Sequence, residues 1–186
     1  MNNEKEITVV INGTKLRVIL FDADGTLRYT TVPGEVCPNK EDEWELYPDV
    51  RKKMEELDPD IRVGIVSNQG GVASGKLSAD KAHALLSECA YCAFTPRQFS
   101  LAWIAMCVHP SRGSCLCRKP SPYMLMEAAS GLVRHEKTYV LQRHECLYVG
   151  DMGTDKQAAE AAGFHFMWAW DFFGRPAPEK IQEAAT

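Results

Sequence analysis

The sequence predicts an α/β fold, namely a three-layer, Rossmann-like sandwich built on a mostly parallel central sheet. Short apolar segments of strand length alternate along the chain with segments of helical character. This alternation is typical of a parallel sheet that carries helices on both faces. The chain has 186 residues, 45% of them hydrophobic, which is enough for one sizeable core. We therefore expect residues 1–186 to form a single domain.

The first predicted elements are strands. The segment ITVVINGTKLRVILF predicts two strands around Asn12 and Gly13, a pair that strongly favours a hairpin turn. Because an antiparallel partner does not belong in the middle of a parallel sheet, we place the first strand of this hairpin at an edge or in an extension. Next along the chain, DVRKKMEEL predicts a helix, and Arg62–Asn68 (RVGIVSN) predicts a buried strand.

The alternation continues in the second half of the chain. LSADKAHALLSECAYCAF predicts a helix capped near Ser78, and Ser100–Cys107 (SLAWIAMC) predicts a strand. SPYMLMEAASG predicts a helix with Ser121 as its N-cap, Pro122 at its first position and Gly131 at its end. Three further segments, CLYVGD, DKQAAEAAG and FHFMWAW, predict a strand, a helix that ends at its glycine, and a last strand.

Composition and charge narrow the possible classes of protein. A formal net charge of −4 gives no reason to expect a nucleic-acid or membrane surface. No apolar run approaches the roughly 20 residues of a transmembrane helix. The N-terminal MNNEKEITVV lacks the basic start and apolar block of a secretory signal, so we expect a cytoplasmic protein. In such a chain, seven cysteines favour free thiols or metal ligands over disulfides.

Polar side chains follow three of the predicted buried strands. Asp22, Ser67 and Asp151 each lie at or just after the end of such a strand. Since open α/β sheets bind ligands at the carboxyl ends of their strands, these residues should meet at one edge. Asp22 can act as a nucleophile that forms an aspartyl-phosphate, and Asp24 can protonate the leaving oxygen and then activate water.

Mg²⁺ would hold these carboxylates together, because it prefers oxygen ligands and neutralises phosphate. Asp151 is the natural third carboxylate for that ion, while Ser67 and Lys119 can bind a phosphoryl group. Taken singly, each residue has a structural explanation. D-x-D-G occurs in calcium loops and turns, a serine after a strand often caps a helix, and Gly-Asp often forms a turn. Their occurrence together favours phosphoryl chemistry.

Four short motifs occur in order: DADGT (22–26), SNQ (67–69), RKP (118–120) and GDMGTD (150–155). They resemble the signatures of phosphohydrolases of the haloacid dehalogenase (HAD) superfamily over roughly Val18 to Phe166. The resemblance implies that Asp22 is the nucleophile and Asp24 the general acid and base, as in the phosphatase and mutase branches. It further implies phosphate contacts through Ser67 and Lys119, substrate contacts through Thr26, Asn68 and Arg118, Mg²⁺ ligation by Asp22, the main-chain carbonyl of Asp24 and Asp151, and a supporting place for Asp155.

A second set of candidate ligands lies in CVHPSRGSCLCRKP, which has the pattern C-x-H-x5-C-x-C. Three thiolates and one imidazole, from Cys107, His109, Cys115 and Cys117, form a standard structural zinc set. The alternative is that Cys107 is an interior strand residue and the others are incidental loop thiols. With SNQGGVASG, the cluster resembles the zinc-containing heptose-bisphosphate and histidinol-phosphate phosphatases.

This narrower resemblance implies that Arg118 contacts a substrate phosphate. Ser74 stands where that group leads us to expect a basic residue, and Lys76 could compensate for it. Two other cysteines, Cys89 and Cys92, form C-x-x-C on a predicted helix. A redox pair is possible there, but burial on the helix is the favoured interpretation.

The spacing between motifs leaves too little room for a cap domain, so we expect a capless enzyme with an open site. Specificity would come from three loops, at Tyr29–Tyr47, Gly70–Leu77 and Pro110–Arg118. The first of these carries five carboxylates between Glu35 and Glu45.

We expect a Mg²⁺-dependent phosphatase acting on a small phosphomonoester, such as a sugar phosphate. A polynucleotide 3′-phosphatase is the alternative, but the acidic loop argues against nucleic acid, whose affinity rests on Lys and Arg contacts. A third possibility, a non-catalytic zinc-stabilised interaction protein, predicts decay of the catalytic set, and the set is intact.

Overall fold

The computed structural model describes residues 9–113, 115–136 and 138–178, which contain nine strands, seven α-helices and one short 3₁₀ helix (Arg143–Glu145). The strands are β1 (Val10–Ile11), β2 (Thr14–Lys15), β3 (Val18–Phe21), β4 (Arg28–Thr30), β5 (Trp44–Leu46), β6 (Arg62–Asn68), β7 (Trp103–Cys107), β8 (Cys146–Gly150) and β9 (His165–Trp168). The helices are α1 (Val50–Glu56), α2 (Gly70–Ala73), α3 (Ala79–Ala93), α4 (Pro96–Leu101), α5 (Tyr123–Val133), α6 (Gly153–Ala162) and α7 (Ala169–Phe173).

Five strands form one parallel sheet in the order β7-β6-β3-β8-β9. The central strand is β3, whose Ile19 lies opposite Val63 of β6 on one side and Leu147 of β8 on the other. The chain builds outward from β3 through β6 and β7, then crosses to the other side for β8 and β9. The carboxyl end of β3 is therefore the switch point at which such sheets bind ligands. The predicted α/β fold with its parallel sheet is confirmed.

Side-chain alternation along β3 creates the two apolar cores of the sandwich. Its four residues, Val18–Phe21, are fully buried. Ile19 and Phe21 pack on the face that α1, α3 and α7 cover, whereas Val18 and Leu20 pack against α5 and α6. Each such side chain contributes roughly 1.5–3 kcal/mol of burial free energy. A strand buried on both faces must be apolar throughout, which explains the unbroken VILF segment.

The N-terminal hairpin is an extension outside the parallel sheet. β1 and β2 pair only with each other, in antiparallel register, around Asn12 (φ +51°) and Gly13 (φ +81°). Two consecutive positive φ angles are what a tight hairpin turn requires. The chain then leaves the hairpin before β3 begins at Val18, so the predicted second strand is divided in two. The start of the predicted first strand, residues 7 and 8, lies outside the described residues.

Three predicted element boundaries are wrong. Ser100 and Leu101 belong to α4 and not to a strand, because Thr95 and Gln98 form a capping box and Pro96 occupies the first helical turn. Similarly, the predicted last strand ends at Trp168, where α7 follows it. At α3 the prediction is confirmed, since the hydroxyl of Ser78 accepts a hydrogen bond from the backbone N–H of Lys81.

The third wrong boundary concerns α5, which does not end at Gly131 but runs to Val133, with Pro122 in place of Ser121 as its N-cap. Gly131 is a packing residue, because a Cβ there would lie 2.6 Å from the ring of Trp103. Gly131 therefore allows the edge strand β7 to approach α5 closely, and it does not end the helix.

No separate cap domain occurs among the described residues. Between β3 and β6 the chain forms only the antiparallel hairpin β4–β5 and helix α1, and a short loop connects β7 to the segment before α5. A capless fold, as the sequence predicts, agrees with these described residues. In the described part of the chain, no helix is both long enough and apolar enough to cross a membrane.

Candidate active site

Three carboxylates meet at the carboxyl edge of the sheet. Asp22 follows β3, Asp151 follows β8, and Asp155 lies in the first turn of α6. One oxygen from each lies within 4.8 Å of the others. Gly25 makes this approach possible: its φ is +85°, and a Cβ there would lie 2.2 Å from the Asp151 carboxylate. The sheet thus delivers the predicted carboxylates to one point.

The cluster has a strong preference for positive charge. Burial raises the pKa of Asp22 to about 8, against the attraction of Lys119 and with the repulsion of Asp155 and Asp151. Burial, followed by repulsion from Asp155, also raises the pKa of Asp151 to about 6. A cation placed among these oxygens would relieve that repulsion, and carboxylate oxygens are the ligands that Mg²⁺ prefers. The donor set therefore fits such an ion.

Lys119 is the cation that the protein itself supplies. Its ammonium group lies 2.8 Å from Asp22 Oδ1 and 2.7 Å from Asp155 Oδ1, and it donates to the carbonyl of Val66 at 3.0 Å. Burial alone would lower the pKa of Lys119, but Asp22 and Asp155 raise it above its ordinary value. The lysine therefore stays charged although only 4% of it is exposed.

Tyr148 is a fourth partner of Lys119 that the sequence analysis missed. Its hydroxyl accepts from the ammonium at 2.7 Å and donates to the Val66 carbonyl at 2.9 Å. Burial raises the pKa of Tyr148 well above its ordinary value, so the hydroxyl keeps its proton. In the sequence, Tyr148 lies inside a buried apolar strand, where an aromatic residue predicts core packing.

Asp24 is held at both of its oxygens. Oδ1 accepts from Arg28 Nε at 2.8 Å, and Oδ2 accepts from Gln69 Nε2 at 3.0 Å. The same Gln69 nitrogen donates to Ser67 Oγ at 2.9 Å, so one amide links the second motif to Asp24. No role for Arg28 or Gln69 was predicted from the sequence. Both are buried, and both act through residues that the motifs contain.

Thr26 and Asn68 lie inside the site and contact other site residues. The Thr26 hydroxyl donates to Asp151 Oδ1 at 3.4 Å, and Thr26 is fully buried. The Asn68 side-chain amide donates to the Lys119 carbonyl at 3.1 Å and accepts from the Lys119 backbone N–H at 3.0 Å. These contacts position Asp151 and Lys119. Direct substrate contact by Thr26 and Asn68 stays a prediction.

Arg118 lies between the loop that follows β7 and the start of α2. Its Nη1 donates to the carbonyl of His109 at 3.1 Å, and its guanidinium packs beside Gly70, where a Cβ would lie 3.5 Å from Nη1. The loop thus orients Arg118 through a backbone carbonyl. Its predicted contact with substrate phosphate is consistent with this position at the rim and stays a prediction.

The four predicted zinc ligands come together as expected. Ligand atoms of Cys107, His109, Cys115 and Cys117 all lie within 4.8 Å of one another. The separation is 3.6 Å between the Cys107 and Cys115 sulfurs and 3.5 Å between Cys107 Sγ and His109 Nδ1. The Cys115 and Cys117 sulfurs are closer, at 2.9 Å, than the roughly 3.7 Å that tetrahedral Zn–S bonds of about 2.3 Å would give. The residue types and their convergence on one point, three thiols and one imidazole, therefore carry the fit to zinc. All seven cysteines are free thiols.

A family model described as polynucleotide kinase 3 phosphatase matches residues 17–173, which span every element from β3 to α7. The chain belongs to this family. The matched range includes the carboxylate cluster, Lys119 and the four Cys and His residues.

The chain is also similar to individual proteins. It is 31% identical over 119 residues to the D-glycero-alpha-D-manno-heptose-1,7-bisphosphate 7-phosphatase of Photorhabdus laumondii, and the matched segment spans 60% of each chain. The solved D,D-heptose 1,7-bisphosphate phosphatase of B. bronchiseptica, complexed with magnesium and phosphate, is 25% identical. It has a TM-score of 0.63 and covers 81% of this chain and 79% of its own.

A Mesorhizobium loti protein whose structure is described as HAD-like has a TM-score of 0.59 at 24% identity, covering 80% of this chain and 69% of its own; at that identity it shows the fold alone. Together with the family match, these likenesses confirm the resemblance to the HAD superfamily and its heptose-bisphosphate phosphatase group.

The acidic segment around the loop between β4 and β5 has fewer unpaired carboxylates than its sequence suggests. Most of its carboxylates already have partners. Glu35 pairs with Lys76 at 2.6 Å, and Glu43 pairs with Lys40 at 3.2 Å. Glu41 pairs with Lys81, and Glu45 accepts a hydrogen bond from the Tyr29 hydroxyl. The expected repulsion of a polyanion by this loop is therefore weakened. Lys76, engaged by Glu35, is also not a free substitute for a basic residue at Ser74.

The C-x-x-C pair lies on α3, as predicted. Cys89 is fully buried, and burial raises its pKa to about 12. Burial also raises the pKa of Cys92. Both residues remain thiols at neutral pH, which favours packing over redox exchange because the thiolate is the reactive form.

Proposed function

We propose that the protein is a Mg²⁺-dependent phosphatase that hydrolyses a small phosphomonoester through an aspartyl-phosphate intermediate. The observation that carries this proposal is the buried contact between Asp22 and Lys119, with Asp24 two residues away and Asp151 on the neighbouring strand. An isolated carboxylate at this depth would be protonated and unreactive. Lys119 offsets part of this burial effect, and a Mg²⁺ ion among the carboxylates would offset more of it, so that Asp22 could act as an ionised nucleophile.

The proposed reaction has two displacements at phosphorus. In the first, the Asp22 oxygen that Lys119 leaves free forms a bond to phosphorus while the ester P–O bond breaks, and Asp24, which must enter this step in its protonated form, gives that proton to the leaving oxygen. In the second, Asp24 takes a proton from water, the water oxygen bonds to phosphorus, and the bond from phosphorus to Asp22 breaks. Proton transfer of this kind contributes roughly 10²–10⁴-fold to the rate. Both carboxylates end in their starting states.

The residues that would hold Mg²⁺ are Asp22, Asp151 and, through its main-chain carbonyl, Asp24. When bound, the ion would neutralise charge on the transferring phosphoryl group. Asp155 is occupied by Lys119 and by the backbone N–H of Met152 at 2.9 Å, which supports its role as a positioning residue. The similar B. bronchiseptica protein was crystallised with magnesium and phosphate, and this also favours the assignment.

Zinc is proposed as a structural ion bound by Cys107, His109, Cys115 and Cys117. Cys107 is anchored in β7, while the other three ligands lie on the loop that leads to Arg118 and Lys119. A closed four-ligand site stabilises a loop and keeps no open position for catalysis. The ion would therefore fix the chain just before two residues that bind phosphate in our proposal.

A sugar phosphate or sugar bisphosphate is the proposed class of substrate, because the curated relative acts on a heptose bisphosphate. The open, capless edge leaves room for a second phosphate near Arg118. The test is a comparison of kcat/KM across sugar monophosphates, sugar bisphosphates and a 3′-phosphorylated oligonucleotide, with Mg²⁺ present and Asp22→Asn as the inactive control. A cytoplasmic location stays a prediction, and a sugar-phosphate substrate would be compatible with it.

Polynucleotide 3′-phosphatase activity is the second candidate. The family's description favours it, and so does the pairing of the loop carboxylates with lysines, which removes part of the electrostatic argument against nucleic acid. If the oligonucleotide is the better substrate, its KM should rise steeply with salt, because phosphate contacts release counterions. A sugar phosphate should show a much weaker salt dependence.

A further inference from the structure

Arg28 is a buried cation next to the active site that none of the four motifs contains. It is the first residue of β4 and closes the turn that follows Asp22. Its backbone N–H donates to the Ala23 carbonyl at 3.0 Å, and its own carbonyl accepts from the Gly25 N–H at 2.8 Å. Its side chain has no exposed surface. The hydrogen bonds of the turn therefore fix the position of the Arg28 backbone, and burial restricts the conformation of its side chain.

Two contacts orient the guanidinium group. Nε donates to Asp24 Oδ1 at 2.8 Å, and Nη1 donates to the backbone carbonyl of Leu85 in α3 at 2.9 Å. The guanidinium carbon lies 5.4 Å from the centre of the Trp44 ring in β5. Nη2 is buried and makes no hydrogen bond to the described residues. Because the guanidinium is planar, two anchored nitrogens define the direction of the Asp24 contact.

The Asp24 carboxylate is the charged partner that Arg28 contacts. Burying a cation is costly unless a carboxylate pairs with it, and a buried pair is by itself weak evidence of a gain in stability. The Asp24 side chain, in contrast, keeps 14% of its surface exposed. Arg28 is thus enclosed by protein, whereas Asp24 faces the edge of the sheet where the reaction would occur.

We infer that Arg28 is a positioning residue that fixes the Asp24 carboxylate at the place from which it serves the leaving group. This inference rests on the proposed function. Arg28 holds Oδ1 from the interior, and Gln69 holds Oδ2 from the side of Ser67. A general acid must lie within about 2.6–3.2 Å of the atom that it protonates. Without Arg28, the carboxylate would be tethered at one oxygen only.

The consequence is a loss of activity that depends on the leaving group. A phenol of low pKa departs without a proton, whereas an alkoxide or a phenol of high pKa needs one. Misplacement of a catalytic group by about 1 Å can cost roughly 100-fold. The loss for an Arg28 variant should therefore be large for poor leaving groups and small for good ones, as it should be for Asp24→Asn.

The test is a plot of log kcat/KM against leaving-group pKa for a series of aryl and alkyl phosphates with the full-length protein and Mg²⁺. The variants are Asp24→Asn, Arg28→Met, which keeps the bulk without the charge, and Arg28→Lys, which keeps the charge and one donor. Arg17→Met is the matched control, because Arg17 also bonds a carboxylate, that of Glu136, and packs on an aromatic ring, that of Tyr139. Melting temperatures are measured in parallel.

For Arg28→Met we expect a slope shifted toward that of Asp24→Asn, with about 10- to 100-fold loss on the poorest leaving group. Arg28→Lys should recover part of the slope. Arg17→Met should leave the slope of the wild type unchanged even if its melting temperature falls.

A uniform loss on all substrates, or a wild-type slope in both Arg28 variants, would overturn the inference while the proposed function stands. If Arg28→Met does not fold, the slope of Arg28→Lys decides. A wild-type protein that hydrolyses none of the phosphates would overturn the proposed function and the inference together.

Discussion

Lys119 donates a 2.8 Å hydrogen bond to Oδ1 of Asp22, and at most 9% of either side chain is exposed. The two residues are 97 positions apart in the sequence. The contact ties one carboxylate oxygen to a fixed cation and leaves the other as the atom that we expect to attack phosphorus. Breaking a buried pair of this kind by removing one partner costs about 3–5 kcal/mol. We therefore expect the pair to matter for both stability and chemistry.

Asp22→Asn should abolish turnover, because an amide cannot form the acyl phosphate. The measurement is the release of inorganic phosphate from the best substrate under saturating Mg²⁺. Asp42→Asn, a change of an exposed carboxylate in the loop between β4 and β5, is the control and should retain wild-type turnover. Activity of Asp22→Asn at a tenth or more of wild type would rule out the covalent route.

Tyr148→Phe should lower kcat/KM about tenfold, corresponding to about 1.4 kcal/mol of lost transition-state stabilisation. The ring and its packing remain, and only the hydroxyl that accepts from Lys119 at 2.7 Å is removed. The measurement is steady-state kinetics together with thermal unfolding. Tyr139→Phe, which removes a hydroxyl from a ring under Arg17, is the matched control. If both variants match the wild type, Tyr148 does not position Lys119.

Purified protein should carry about one zinc ion per chain, bound by three thiolates and one imidazole. Elemental analysis of protein prepared without chelators measures this directly. Removing the ion should increase hydrogen exchange in the loop between Cys107 and Arg118, since metal binding and local folding are coupled. Cys115→Ser should lose the ion, whereas Cys92→Ser, on α3, should keep it. Protein that contains no zinc under these conditions would remove the claim.

The carboxylate cluster at the sheet edge could be predicted from the sequence because its main residues follow strands. Asp22 and Asp151 come after apolar segments, and parallel strands bring their carboxyl ends together whatever their separation in the chain. The four candidate Cys and His ligands could be predicted equally well, because metal ligation demands particular residue types at short spacing.

The residues that orient this set could not be predicted. Tyr148 and Arg28 act through side-chain contacts with Lys119 and Asp24 that depend on burial and on the packing of β8 and α3. From the sequence, a tyrosine inside an apolar strand is expected to pack in the core, and a single arginine is expected to lie on the surface. The boundary of α5 failed for a similar reason, because the ring of Trp103, and not the helix itself, explains Gly131.

The charge of the loop between β4 and β5 also depended on tertiary contacts. From the sequence its carboxylates form a single acidic segment. In the structure Glu35 and Glu41 reach lysines about 40 residues away, at Lys76 and Lys81. Surface pairs of this kind contribute only about 0–1 kcal/mol each to stability, but they change the field that a substrate meets.

The last prediction concerns substrate choice, which Arg118 should control. Its guanidinium is oriented by the His109 carbonyl and lies at the rim beside Gly70, where it can bind a phosphate through two parallel hydrogen bonds. A hydrogen bond to a charged group contributes about 1.5–3 kcal/mol, so Arg118→Ala should raise KM for a sugar bisphosphate about 10- to 100-fold. KM for the matching monophosphate should change less, because that substrate lacks the second anionic group.

The control for this prediction is Arg112→Ala, which removes an exposed arginine from the same loop without the contact to His109. It should leave KM for both substrates close to the wild-type value, and zinc content should be the same in the two variants. Equal changes in KM for the bisphosphate and the monophosphate would show that Arg118 does not read the second phosphate. A higher kcat/KM on the 3′-phosphorylated oligonucleotide than on either sugar would reverse the proposed ranking of substrates, while the roles of Asp22 and Lys119 would still be judged by their own variants.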